Sequence, residues 1–152
     1  MKRLLEEWKN FLLEAEAKYS GIIKINPDQE VISKVKKLQQ YIKDPTAVNL
    51  PEEAIHVTLV HQNVLKPFRK KLKTLDLPKA PTPVIDFDKG VKIKKSGEKK
   101  SWAIELTNQK EMRDYVQNIM ELLESEDTNP EPERVFHISL ANLTGSPHDS
   151  VR

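Results

Sequence analysis

Two five-residue segments, Ile55-His56-Val57-Thr58-Leu59 and Phe136-His137-Ile138-Ser139-Leu140, carry the same order of apolar residue, histidine, apolar residue, hydroxyl and leucine. They stand 81 positions apart in a chain with four histidines. In an extended strand successive side chains point to opposite faces, so His56 and Thr58 share one face while Ile55, Val57 and Leu59 share the other. The second segment repeats this, with His137 and Ser139 on one side and Phe136, Ile138 and Leu140 on the other. Each segment is therefore expected to be a strand that buries an apolar face and presents one imidazole and one hydroxyl opposite it.

Two such strands facing each other make a four-residue polar site whose chemistry suits a phosphoester. Displacement at phosphorus needs a base for the incoming oxygen, an acid for the departing one, and donors to the non-bridging oxygens as charge builds. Histidine titrates near neutrality, so one neutral and one protonated imidazole supply base and acid together. Thr58 and Ser139 then donate to the phosphoryl oxygens without adding charge. Neither a metal nor a cofactor is called for, and the sequence does not say which histidine is acid and which is base.

The paired His-x-Thr and His-x-Ser strands resemble the signature of the 2H phosphoesterase superfamily, which includes LigT-type RNA cyclic phosphodiesterases and phage nucleases that degrade cyclic oligonucleotide immune signals. The resemblance carries over at His56, Thr58, His137 and Ser139 as catalytic residues. It departs from many members in having Ser139 where they have threonine. It implies an α+β, bilobal fold of two pseudo-symmetric antiparallel sheets flanking a cleft, with helices outside. It also implies metal-independent hydrolysis of a nucleotide phosphodiester, either a 2′,3′-cyclic phosphate or an RNA or oligonucleotide linkage. The alternatives are a phage-type nuclease that destroys cyclic di- or trinucleotide signals, and an RNA-binding module without activity.

At 152 residues and 38% apolar content, the chain is expected to form one domain over residues 1–152 with a real core. It has no cysteine, which removes disulfides and Cys-ligated zinc and suits a reducing compartment. No apolar run reaches membrane-spanning length, so the expectation is a cytoplasmic protein that does not engage a membrane, its oligomeric state left open. A net charge of +2 does not mark a duplex-binding protein by itself. Lys89, Lys92, Lys94, Lys95, Lys99 and Lys100, however, crowd around a Ser96-Gly97 turn. Lys92 and Lys94 share a face, and Lys94 and Lys100 are candidate substrate contacts for a nucleotide, short RNA or cyclic oligonucleotide. A solvated hairpin edge would carry the same charges. A second basic run, Lys66 through Lys73, reads as the polar face of a short helix.

Leu4, Leu5, Trp8, Phe11, Leu12 and Ala15 predict an amphipathic helix over residues 2–18. Residues 19–26 then read as a strand. Pro27 opens a second helix with Val31, Val35, Leu38, Tyr41 and Ile42 as its stripe, ended by Asp44-Pro45. Pro78, Pro81 and Pro83 predict a stiff connector between two halves. Residues 84–93 read as a strand broken near Gly90, and 101–106 as its returning partner. Asn108 is the expected cap of a helix bearing Met112, Tyr115, Val116, Ile119, Met120 and Leu123. An acidic surface loop spans 125–132, and the segment after Leu140 reads as an irregular tail.

Trp102 and Tyr19 are candidate stacking residues for a base, with sheet packing as the other role. Asp86 and Asp88 alternate onto one face, but no third ligand lies near them in sequence. His61 falls opposite His56 if the strand stays regular and is assigned to the rim. His148, in the tail, is expected to play no catalytic part.

Overall fold

The computed structural model describes residues 14–152. In chain order the strands are β1 (Glu14–Ala15), β2 (Ala17–Tyr19), β3 (Ile23–Ile25), β4 (Val48–Asn49), β5 (Val57–Val60), β6 (Ala80–Pro81), β7 (Lys92–Ser96), β8 (Lys99–Glu105) and β9 (His137–Asn142). Helix α1 (Gln29–Gln40) follows β3, the short α2 (Gln62–Leu65) and α3 (Arg69–Thr74) follow β5, and α4 (Gln109–Leu122) follows β8. The fold is α+β.

Both histidine segments contribute strands, β5 from Val57, with His56 just ahead of it, and β9 from His137, and the two are neighbours. A seven-stranded antiparallel sheet runs β2-β3-β5-β9-β8-β7, with β4 also paired to β9, and β1 and β6 form a separate two-stranded ribbon. The expected pair of separate sheets is thus one sheet, because β5 and β9 pair directly through Val57 and Ile138. An order recurs on either side of that seam. Hairpin β2–β3, helix α1 and strand β5 are followed later by hairpin β7–β8, helix α4 and strand β9, and each histidine strand pairs with the second strand of its own hairpin.

Alternation explains which face is buried. Ile25, Val57, Ile104, Ile138 and Leu140 are fully buried, at 0% exposure, and each such side chain contributes about 1.5–3 kcal/mol relative to exposure. Helix α1 packs against β9 and α4 against β5, so the helices cover this apolar face. Val31, Val35 and Leu38 form the α1 stripe, and Met112, Tyr115, Val116, Ile119 and Met120 that of α4. Asp28, just after Pro27, caps α1 by accepting from Val31 N at 3.0 Å.

Several local expectations give way to tertiary structure. Residues 2–13 of the expected first helix lie outside the described residues; its last part is strand, with Ala15, Ala17 and Tyr19 half-buried and Glu16 and Lys18 exposed, a period of two. Residues 19–26 are not one strand: β2 ends at Tyr19, and the chain reverses through Gly21 at φ 85° before β3. Tyr41 leaves the α1 stripe and is 73% exposed, because the helix ends before it. Residues 84–93 supply only an isolated bridge between Ile85 and Leu106 and a 3-10 turn at Phe87–Lys89 before β7 begins. Asn108 sits at the start of α4 without capping it; its side chain instead donates to Thr82 O at 2.9 Å and accepts from Val84 N at 3.1 Å. Asp86 accepts from Asp88 N, and among the described residues no group of three or more His, Cys, Asp or Glu could hold a metal ion.

The C-terminal segment is not a loose tail. Asn142, fully buried, donates to Ser146 O (2.6 Å) and Ser150 Oγ (3.0 Å) and accepts from the backbone of Thr144 (3.0 Å) and Gly145 (2.6 Å). Val151 N then donates to Ser101 Oγ at 2.6 Å. Gly145 has φ 82°, and a Cβ there would meet Val48 Cγ1 at 2.8 Å, so this turn requires glycine. Among the described residues no helix is long and apolar enough to cross a membrane.

Candidate functional site

The face of β5 and β9 opposite the helices opens into a cleft of about 460 Å³ lined by His56, Thr58, His137 and Ser139. Val57 pairs with Ile138 in antiparallel register, so moving one residue either way along the strands sets His56 opposite Ser139 and Thr58 opposite His137. The two imidazoles lie on the diagonal of this quartet, about 7–8 Å apart at the backbone by ordinary sheet geometry. That separation leaves room for a phosphoryl group between them.

Each histidine is oriented by the residues just before it. His56 Nδ1 lies 2.8 Å from Ala54 O, and a carbonyl only accepts, so Nδ1 carries the proton. Nε2 is left with its lone pair, 3.0 Å from Thr58 Oγ1, whose hydroxyl donates to it. The carbonyl comes from the 3-10 turn Glu52–Ala54 that delivers the chain into β5. Burial lowers the His56 pKa, the Ala54 bond opposes this, and Lys24 adds repulsion. The neutral ring is favoured.

His137 is more strongly perturbed. Its Nδ1 lies 3.2 Å from both Val135 O and Lys94 Nζ, so it donates to the carbonyl in one ring state or accepts from the ammonium in another. Burial first, then the Lys94 charge, push its pKa down to about 4. Burial also lowers the Lys94 pKa, while Glu105 raises it. Gln109 fixes the approach to β9 from both sides of Phe136: its Nε2 donates to Phe136 O at 2.7 Å and its Oε1 accepts from Phe136 N at 2.8 Å.

The remaining candidate contacts fall elsewhere. Trp102 is 3% exposed, lies outside the cleft lining and is covered by Lys100, whose Nζ sits 4.8 Å from the ring centroid. It is unavailable for stacking because the register with Ile93 and Ala141 turns it inward. Tyr19 packs on the edge of the core and likewise does not line the cleft. Lys100 Nζ is paired with Asp44 Oδ2 at 3.1 Å, away from the histidines. Of the substrate contacts expected from sequence, Lys94 alone reaches a catalytic candidate. Lys71, in the second basic run, is engaged with Glu124 at 2.9 Å. Among the described residues no Phe, Tyr or Trp lines the cleft.

Residues that sequence reasoning passed over complete the site. Lys24 pairs with Thr58 across β3 and β5 and lines the cleft; the signal was present, since it is a lone cation between the buried Ile23 and Ile25. Arg134 donates to Leu59 O at 2.7 Å and to Thr58 O, and its guanidinium lies 5.2 Å from the Phe136 ring centroid. It ties the approach to β9 to the backbone of β5, and burial lowers its pKa to about 10. His61, expected on the opposite face, lines the same cleft, because Leu59 and Val60 are both buried and the alternation stops there. Its Nδ1 is 2.9 Å from Glu131 Oε2. His148 also lines the cleft, carried there by the folded-back C-terminal segment. Beyond the histidines, the lining holds the cations Lys24, Lys99, Arg134 and Arg152 against the single carboxylate Glu53. Such a surplus favours an anionic ligand.

Comparison with protein-family models, with curated proteins and with solved structures finds no match to this chain.

Proposed function

We propose that this chain is a metal-independent phosphodiesterase that hydrolyses nucleotide phosphodiester bonds by two-histidine acid–base catalysis, in the manner of the 2H phosphoesterases its motifs resemble. The repeated order of hairpin, helix and histidine strand supports the pseudo-symmetric, two-lobed organisation that goes with it. The observation that carries the proposal is the Val57–Ile138 pair, which sets two imidazoles and two hydroxyls on one face of a cation-lined cleft.

His56 is the base, since Nδ1 donates to Ala54 O and the lone pair is on Nε2, open to substrate once the Thr58 hydroxyl turns from it to a phosphoryl oxygen. His137 is the proton donor: where Lys94 donates to its Nδ1, the ring proton sits on Nε2. For a 2′,3′-cyclic phosphate, His56 takes a proton from water, the water oxygen bonds to phosphorus, one ribose P–O bond breaks, and His137 protonates the departing oxygen. The product is a phosphomonoester. For an intact linkage beside a free 2′-hydroxyl, that hydroxyl attacks instead and leaves a cyclic phosphate. Thr58 and Ser139 hold the non-bridging oxygens, and the anion itself raises the pKa of both imidazoles, which supplies the protonated partner. The absence of cysteine suits a cytoplasmic setting.

The test offers 2′,3′-cyclic mononucleotides, cyclic-phosphate-ended RNA and cyclic di- and trinucleotides in EDTA to the wild type and to the His56→Ala/His137→Ala double variant. Cleavage lost in the variant supports the proposal, and the preferred substrate separates RNA processing from signal destruction. Bound nucleotide without cleavage would replace it with a binding module.

A further inference from the structure

Beside the cleft lies a second pocket of about 650 Å³, within the range of small-molecule sites. His61, Arg134 and Arg152 line both spaces, and they are the residues the two linings share. The ridge between the pockets is therefore built from three side chains able to carry positive charge. His61 spends Nδ1 on Glu131, which leaves Nε2 for a ligand. Arg134 has five N–H donors, of which its two carbonyl bonds leave others, although its Nη1 also lies 3.8 Å from Glu131 Oε1. The far pocket differs in character: Glu131 and Glu133 would repel a phosphate, while Asn63 and Glu133 offer acceptors and donors and Val64 and Pro132 an apolar wall.

We propose that the substrate is an oligonucleotide of at least two nucleotides, with a second phosphate on the His61–Arg134–Arg152 ridge and the neighbouring nucleoside in the far pocket. This rests on the phosphodiesterase activity proposed above and extends it to substrate length. The scissile phosphate occupies the quartet of His56, Thr58, His137 and Ser139. The next phosphate meets the ridge, and the uncharged base lies beyond it, where the carboxylates exclude further phosphate but accept from a base edge.

The experiment measures equilibrium binding of a 2′-deoxydinucleotide ending in a 3′-phosphate against the matching 2′-deoxymononucleoside 3′-phosphate. The wild type is compared with Asn63→Trp, an exposed position whose enlargement fills the far pocket. The wild type is expected to hold the dinucleotide at least about tenfold more tightly, the size of one charge-assisted contact. Asn63→Trp is expected to abolish that preference and leave mononucleotide binding unchanged. Equal affinities in the wild type, or a preference that survives Asn63→Trp, would overturn the second subsite. Turnover of a dinucleotide ending in a 2′,3′-cyclic phosphate is followed in parallel. Its absence alongside an intact dinucleotide preference would sink the phosphodiesterase proposal and leave the subsite standing.

Discussion

Val57 and Ile138 face one another as the register pair joining the two histidine strands. Both are fully buried, so the core fixes the register, and a slip of one residue would turn His56 or His137 into the core. The polar quartet is thus held by apolar packing on the far side of the sheet. Arg134 reinforces it by donating to the backbone carbonyls of Thr58 and Leu59.

Arg134→Ala is expected to destabilise the fold by about 2–3 kcal/mol, because it leaves two carbonyls without their charged donor and takes one of the two guanidiniums off the Phe136 ring. Arg134→Lys is expected to recover little, since an ammonium cannot reproduce the planar fork. Urea melts measure both. A midpoint unchanged in Arg134→Ala would show that the guanidinium does not tie the strands together.

Thr58→Ala and Ser139→Ala are each expected to lower kcat by about a hundredfold, as donors to charge that develops at phosphorus. Thr58→Ser keeps the hydroxyl and is expected to retain most activity. Steady-state kinetics on a dinucleotide ending in a 2′,3′-cyclic phosphate decide this, and near-normal turnover in both alanine variants would remove the hydroxyls from the mechanism.

Lys94→Met removes a charge 3.2 Å from His137 Nδ1. The His137 pKa, held at about 4 by burial and then by Lys94, is expected to rise while staying below its ordinary value because burial remains. Titration of the histidine ring protons by NMR reads it directly. No movement would mean that the lysine does not tune the imidazole.

Stability is expected to fall in mild acid. His137 has a folded pKa below its unfolded value of about 6.5, so between that value and about 4 the unfolded chain binds the proton and the folded chain does not. Its contribution is complete above pH 6.5 and is lost as pH drops toward 4, a loss of about 3 kcal/mol. His56 and His61, both lowered chiefly by burial, act with the same sign. Thermal melts across this window, repeated in His137→Gln, check it: the variant should show a shallower slope, and an identical slope would contradict the assignment.

The strands bearing the histidines were legible because a period of two is written into each segment and each is short enough to stay regular. Their adjacency was not, since pairing β5 with β9 is a property of the whole sheet, and two sheets fitted the sequence as well as one. Lys24 could have been found by the same alternation that exposed His56. His61 could not, because Leu59 and Val60 are buried in succession and reset the phase. Arg134 acts through the reach of its side chain to carbonyls more than 70 residues away in sequence, which no local pattern encodes. Trp102 misled because an aromatic beside a lysine hairpin suits stacking and sheet packing equally, and only the register with Ala141 decides.

The most direct test of the mechanism is the kcat of His56→Ala, His137→Ala and the double variant on a dinucleotide ending in a 2′,3′-cyclic phosphate in EDTA. Each single substitution is expected to cost about a hundredfold to ten-thousandfold. The double variant is expected to cost little more than the worse single one, because acid and base act as one unit. Turnover that survives in the double variant would contradict two-histidine catalysis in this cleft.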